Sequence, residues 1–208
     1  MSSKLKFIFE TKNKVQIPVY EIMPRTDNLI IAANKHFRNE FGNEYERRSY
    51  DHFYNCHGMT FIGKQGCIGL NFSELEENKK IFSESSKKIV EQKNREDIIQ
   101  LILEGNNFRR IIRFDNIELD IDKISDIKDI KRGDIVIYKD IRNHKEEVLH
   151  SAIIMKLIKL ERNAKLCNIQ VLSKLGDCGE YFHSFNTTKV LQRYGKIVEI
   201  WTDREINE

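Results

Sequence analysis

Short apolar segments with the pattern of β-strands fill the last third of this 208-residue chain. Turns and charged stretches separate these segments, which span residues 135–138, 148–158, 166–172 and 197–201. Strands that follow one another closely in sequence usually pair as neighbours, and short turns join them in an antiparallel arrangement. The C-terminal part of the protein is therefore predicted to be an antiparallel sheet.

The first half of the chain shows mostly helical spacing of its apolar residues. Two short strands are predicted at 5–10 and 14–22, followed by a helix over about 29–41. A second helix is predicted to begin at Cys56, and residues 73–104 predict two or three amphipathic helices. Helices first and strands later indicate an α+β fold with an antiparallel sheet. No repeat or flexible linker interrupts the chain, so one domain is predicted.

Composition argues against several classes of function. The chain carries 35 basic and 32 acidic side chains, a near balance that gives no support to nucleic-acid binding. Its longest apolar runs, such as 29–33, fall far below the ~20 residues that span a bilayer, so no membrane contact is expected. Residues 1–10 lack the apolar region and the cleavage site of a signal peptide. A cytoplasmic location is predicted, and export by a leaderless route stays open.

The four cysteines, Cys56, Cys67, Cys167 and Cys178, form no closely spaced pair. Short C-x-x-C pairs are the usual mark of a zinc site, and dense disulfides are the usual mark of a small secreted domain. Free thiols in a reducing compartment are therefore predicted, with no metal and no cofactor.

Cys56 stands where a loop meets a predicted helix, in Asn55-Cys56-His57-Gly58. The first turn of a helix carries a partial positive charge, which lowers the pKa of a thiol and favours the nucleophilic thiolate. Gly58 has no side chain, so a substrate backbone is expected to have room to come close. The alternative is that Cys56 is a small buried apolar residue, the usual state of a free cysteine.

A nucleophilic cysteine needs a base, and the six histidines supply the candidates. His150 stands apart because it begins a predicted apolar strand, with the small residues Ser151 and Ala152 beside it. A titratable side chain at the head of a buried strand is costly unless it is paired. His57 is a poor base for Cys56, because neighbouring side chains on a helix diverge by about 100°. A structural, hydrogen-bonded role for His150 stays open.

A third segment, from Ser173 to His183, closes a strand and turns through two glycines. Such a turn next to a strand that bears a histidine is a place for a residue that orients an imidazole. Ser173 and His183 are the candidates for this role. The glycines, Gly176 and Gly179, are equally consistent with a turn alone.

Together these segments resemble the papain-like cysteine peptidase and amidase superfamily, and most closely its NlpC-type and CHAP-type enzymes. The resemblance rests on three short motifs in the family's order, which are Asn55-Cys56-His57-Gly58, Gly133-Asp134-Ile135-Val136 and His150-Ser151-Ala152-Ile153. It covers about residues 50–70 and 130–201. Residues 71–115 fall outside it and are expected to be a helical insertion within a single papain-like domain over 1–208.

The resemblance implies an N-terminal helical half whose Cys56-bearing helix packs on the C-terminal antiparallel sheet. It also implies that Cys56 is the nucleophile, that His150 is the general base and acid, and that Ser173 or His183 orients the imidazole. The implied oxyanion and substrate positions are Tyr50, Tyr54, Asn55 and Gly58. The chain departs from the family pattern at three points: Ser173 stands for the usual Asn, the papain oxyanion Gln is absent, and Asn55 stands for the NlpC-type Asp before the cysteine.

The implied activity is hydrolysis or acyl transfer at an amide or peptide bond, through a Cys–His thiolate and an acyl-enzyme and without a cofactor. The implied substrate is a peptide, a protein or a peptidoglycan-like amide. Two other classes stay open. One is a catalytically inactive papain-like protein that binds other proteins. The other is a metal-dependent hydrolase or zinc-binding module that uses Cys56, His57, His150 and His183.

Overall fold

The computed structural model describes residues 3–22, 45–49, 53–68, 95–120, 129–159, 167–176 and 179–205, together with 28, 31–33, 35, 37 and 39. The strands are β1 (Ser3–Glu10), β2 (Gln16–Ile22), β3 (Glu46–Ser49), β4 (Cys67–Ile68), β5 (Arg109–Phe114), β6 (Ile135–Arg142), β7 (Lys145–Lys159), β8 (Cys167–Lys174), β9 (Glu180–Ser184) and β10 (Ile197–Thr202). The helices with described bounds are α1 (Cys56–Ile62), α2 (Arg95–Gly105), α3 (Ile117–Asp120) and α4 (Thr188–Tyr194). The described residues within the helix predicted over about 29–41, namely 31–33, 35, 37 and 39, are also helical. None of the described helices is long and apolar enough to cross a membrane.

The described strands form two sheets in which neighbouring strands run antiparallel. The small sheet has the order β1-β2-β4, and the large sheet has the order β3-β9-β8-β7-β6-β10-β5. Neighbours along the chain from β6 to β9 are also neighbours in the large sheet, as short turns require. The predicted α+β class and the antiparallel C-terminal sheet are confirmed, and the strands predicted at 5–10 and 14–22 are confirmed as β1 and β2.

The helical N-terminal half is not evident in the described residues, where β1 to β5 accompany α1 and α2. Residues 109–114, expected inside a helical insertion over 71–115, instead form β5 and pair with β10 in the large sheet. The β-branched pair Ile111 and Ile112 suits an extended strand once β10 supplies a partner. Residues 71–94 of that predicted insertion lie outside the described residues.

Side chains alternate along β6 and β7 and so divide the large sheet into two faces. One face, here called the α1 face, carries Ile135, Ile137 and Ser151, and the other, here called the α4 face, carries Val136, Tyr138 and His150. The α1 face packs on Ile62 of α1 and on the apolar side of α2. The α4 face packs on Val190 and Leu191 of α4. Because both faces are covered, the strand sequence Ile-Val-Ile-Tyr of β6 is apolar throughout.

A buried carboxylate ties β10 to the strands on either side of it. Glu199 on the α1 face receives hydrogen bonds or ion pairs from Lys139 of β6 and from Arg110 and Arg113 of β5. The indole N–H of Trp201 also donates to it at 3.0 Å. Burial alone raises the pKa of Glu199, but these cationic and N–H donors outweigh burial and hold the pKa below its ordinary value. Arg110 and Arg113 of β5 therefore have a structural role, since they join β5 to the buried carboxylate of β10.

Candidate active site

The predicted helix start at Cys56 is confirmed, and Asn55 is its N-cap. The Asn55 Oδ1 accepts hydrogen bonds from the backbone N–H of Gly58 at 2.8 Å and of Ile68 at 3.2 Å. Its Nδ2 donates to the Ile68 carbonyl at 2.6 Å. One side chain therefore satisfies the first turn of α1 and joins it to β4, so the implied oxyanion role of Asn55 competes with a structural one.

Cys56 is the first residue of α1, carries a free thiol and is 8% exposed. Its carbonyl accepts a hydrogen bond from the Thr60 hydroxyl at 2.9 Å. Cys67, the other described free cysteine, is fully buried in β4, with its Sγ 3.9 Å from the Phe53 carbonyl. Of these two thiols, Cys56 is the more accessible.

A chain of side chains connects α1 to β7. The His57 Nδ1 lies 2.9 Å from the Ser151 Oγ, and the Ser151 hydroxyl donates to the Thr60 Oγ1 at 3.0 Å. His57 and Ser151 are fully buried. No role was predicted for Ser151 or Thr60, although the alternation of side chains along a strand already indicates that Ser151 faces away from His150.

His150 lies on the same strand as Ser151 but on the opposite face. It pairs with Tyr138 across β6, and its ring stacks on Tyr194 of α4 at 4.1 Å between centroids, with 13° between the planes. The structure therefore places the strand of His150 against α1 and turns the imidazole toward α4. The Cys56–His150 pair stays a prediction.

The two candidates for the third catalytic residue are bonded to each other. The Ser173 Oγ lies 2.6 Å from the His183 Nε2, and the His183 Nδ1 lies 2.8 Å from the Ser184 carbonyl. Burial lowers the pKa of His183 to about 4, although the hydrogen bond to Ser184 acts in the opposite direction. Ser173 pairs with Ala152 across β8 and β7, which places the pair on the α4 face with His150.

The implied substrate residues are engaged by the protein itself. Tyr54 is buried, and its hydroxyl donates to Glu180, which also pairs with Lys64 at 2.6 Å. A Cβ at Gly58 would stand 1.7 Å from the Gly66 carbonyl oxygen, so the space expected there for a substrate is filled by the chain. Tyr50 lies outside the described residues. Glu180, which had no signal in the sequence, is the residue that fixes Tyr54.

The Gly133-Asp134 motif begins β6 and has a structural explanation. Gly133 adopts φ +95°, a conformation that glycine tolerates best. The Asp134 carboxylate accepts from the Lys131 backbone N–H at 2.7 Å and from the Arg204 guanidinium at 2.8 and 2.9 Å. This motif joins the start of β6 to the end of the described chain.

The described residues do not form the zinc site that was considered as an alternative. Among the described residues, no group of three or more His, Cys, Asp or Glu side chains is arranged to hold a metal ion. His57 belongs to α1 and contacts the α1 face of the large sheet, whereas His150 and His183 lie on the α4 face.

Comparison of the chain with protein-family models, with curated proteins and with solved structures finds no match.

Proposed function

We propose that this protein is a cysteine-dependent hydrolase or acyl transferase with a papain-like arrangement, and that Cys56 attacks the carbonyl of an amide or peptide bond. The observation that carries the proposal is the position of Cys56. It is the first residue of a capped helix that bonds, through Ser151, to the strand bearing His150. The proposed substrate is a peptide, a protein or a peptidoglycan-like amide.

The proposed reaction proceeds through an acyl-enzyme. His150 takes the proton from the Cys56 Sγ, and the thiolate forms a bond to the carbonyl carbon while the Cys56 backbone N–H donates to the oxyanion. His150 then gives the proton to the leaving amine as the C–N bond breaks. Water or another nucleophile attacks the acyl-enzyme and releases the thiol.

This reaction requires the His150 imidazole on the α1 face. In the structure the imidazole lies on the α4 face, stacked on Tyr194, so the labelling experiment below tests whether His150 acts on Cys56.

The second candidate function is a catalytically inactive papain-like protein that binds other proteins. The orientation of His150 favours it, because the ring packs between Tyr138 and Tyr194 as a core residue does. In that case Cys56 behaves as an ordinary buried thiol.

Iodoacetamide labelling of the native protein from pH 5 to pH 9, read by mass spectrometry at each cysteine, separates the two functions. The variants are His150→Phe, which keeps a ring for the stack on Tyr194 but has no proton acceptor, and His144→Gln as the matched control in an exposed turn. If the protein is a cysteine-dependent enzyme, we expect fast labelling of Cys56 below pH 7, and we expect only His150→Phe to abolish it. Labelling with an ordinary thiol pKa near ~8.5, unchanged in His150→Phe, supports the binding protein.

A further inference from the structure

The hydrogen bonds around Ser151 determine which nitrogen of His57 carries a proton. The Thr60 hydroxyl has one proton, which it donates to the Cys56 carbonyl, because a carbonyl can only accept. The Thr60 Oγ1 therefore accepts from Ser151, which uses the single proton of that hydroxyl. The remaining contact, 2.9 Å to the His57 Nδ1, leaves Ser151 as the acceptor. His57 thus carries its proton on Nδ1.

This series of hydrogen bonds, from His57 through Ser151 and Thr60, begins and ends in the first turn of α1. His57 and Thr60 are three residues apart and lie on the side of the helix that faces β7. The terminal acceptor is the carbonyl of Cys56 itself. Ser151 is fully buried, so water does not substitute for its hydroxyl in the native state.

The opposite side of the same turn is held by Asn55, which bonds Gly58 and Ile68. Two polar anchors, one on β4 of the small sheet and one on β7 of the large sheet, therefore hold the turn of α1 that carries Cys56.

We propose that Ser151 is a positioning residue for Cys56: it fixes His57 as the Nδ1–H tautomer and holds the turn that carries the thiol. This role rests on the proposed function, in which Cys56 is the nucleophile. Ser151 touches neither the substrate nor the thiol, and it acts through His57 and Thr60.

The first test reads the His57 tautomer directly, by ¹⁵N imidazole spectra of the full chain. The wild type is expected to show the Nδ1–H form at His57, and Ser151→Ala is expected to lose it. A His57 that carries its proton on Nε2 in the wild type overturns the proposal. This readout does not depend on whether the protein is an enzyme.

The second test measures the pH profile of iodoacetamide labelling at Cys56. Ser151→Ala and Thr60→Val are expected to slow labelling at pH 7 by about tenfold and to move the profile up by about one pH unit, toward an ordinary thiol. Thr60→Ser keeps the hydroxyl and is expected to stay within about twofold of the wild type, on the scale of a retained hydrogen bond. Thr202→Val, which removes a buried hydroxyl of β10, controls for general loss of stability.

The two tests distinguish failure of this proposal from failure of the function. Fast wild-type labelling that Ser151→Ala leaves unchanged overturns the role of Ser151 and keeps Cys56 as the nucleophile. Slow wild-type labelling removes the nucleophile and with it the positioning role, even where His57 keeps its Nδ1–H form.

Discussion

The two faces of the large sheet each hold a buried Ser–His pair, and the two hydrogen bonds run in opposite directions. On the α1 face, His57 donates from Nδ1 to Ser151, because Ser151 gives its own proton to Thr60. On the α4 face, His183 donates from Nδ1 to the Ser184 carbonyl, so its Nε2 accepts from Ser173. The residue types are the same, and the neighbouring acceptor decides which partner donates.

The surroundings of the two pairs differ as well. The His57–Ser151 pair connects a helix to a strand and lies in the turn that bears Cys56. The Ser173–His183 pair lies between two strands, with the Tyr45 ring 5.0 Å from the imidazole. A Ser–His contact therefore does not by itself identify a catalytic unit. Its role depends on which elements the pair joins and which side chains lie beside it.

The greatest loss of stability is expected from Gly58→Ala, because it pushes α1 away from residue 66. The Cβ of Gly58→Ala would lie 1.7 Å from the Gly66 backbone oxygen, so we expect a loss of more than about 4 kcal/mol in the free energy of unfolding. Gly63→Ala is the matched control, because it adds a Cβ with nothing within 4 Å and pays only for φ +59°, about 1 kcal/mol. Urea denaturation compares them, and equal losses would contradict the close packing of α1.

The next effect belongs to the α4 side and depends on pH. His183 has a pKa of about 4 in the folded protein, below its ordinary value of 6.5. Between these values the unfolded chain binds the proton and the folded chain does not, so the free energy of unfolding falls as pH drops from 6.5 to 4, by about 3 kcal/mol in total.

Urea denaturation at pH 7 and pH 4.5 measures this loss as the difference between the wild type and His183→Phe. His144→Gln, in an exposed turn, is the control and is expected to follow the wild type. A wild type and a His183→Phe variant with the same pH dependence would contradict the buried neutral imidazole.

A smaller loss of stability is expected from Ser173→Ala, with the nearby Ser184→Ala as its control. Ser173→Ala leaves the His183 Nε2 buried without the serine proton, which we expect to cost about 2 kcal/mol. Ser184→Ala removes a neighbouring hydroxyl that bonds only to the side chains of Asn168 and Asn186 among the described residues, and it is expected to cost under about 0.5 kcal/mol. Thermal unfolding at pH 7 checks both.

The smallest loss of stability is expected from substitution of Asn55, the second polar anchor of α1. Asn55→Ala removes the cap and the bonds to Ile68, with an expected cost of about 1 kcal/mol, whereas Asn55→Ser keeps an N-cap oxygen and is expected to recover part of it. Calorimetry measures both. A full recovery in Asn55→Ser would show that the bonds to Ile68 contribute nothing.

The sequence predicted well wherever a local pattern is decisive. The alternation in 14–22 and the Asn–Cys junction were sufficient to predict β2 and the start of α1. The helical spacing in 73–104 agrees with α2 where the structure describes it, whereas the bounds 71–115 of the expected helical insertion reached into β5. A strand at that position depends on β10, which lies more than eighty residues later in the chain.

That His150 and Ser151 point to opposite faces of their strand follows from the sequence alone, because side chains alternate with a period of two. Which face meets α1 depends on tertiary packing, since both faces of β6 and β7 are apolar and each can bury a helix. The same holds for Ser173 and His183, whose contact arises from the register of β8 with β9. Periodicity fixes relative directions along one strand, whereas packing between distant segments selects what each direction meets.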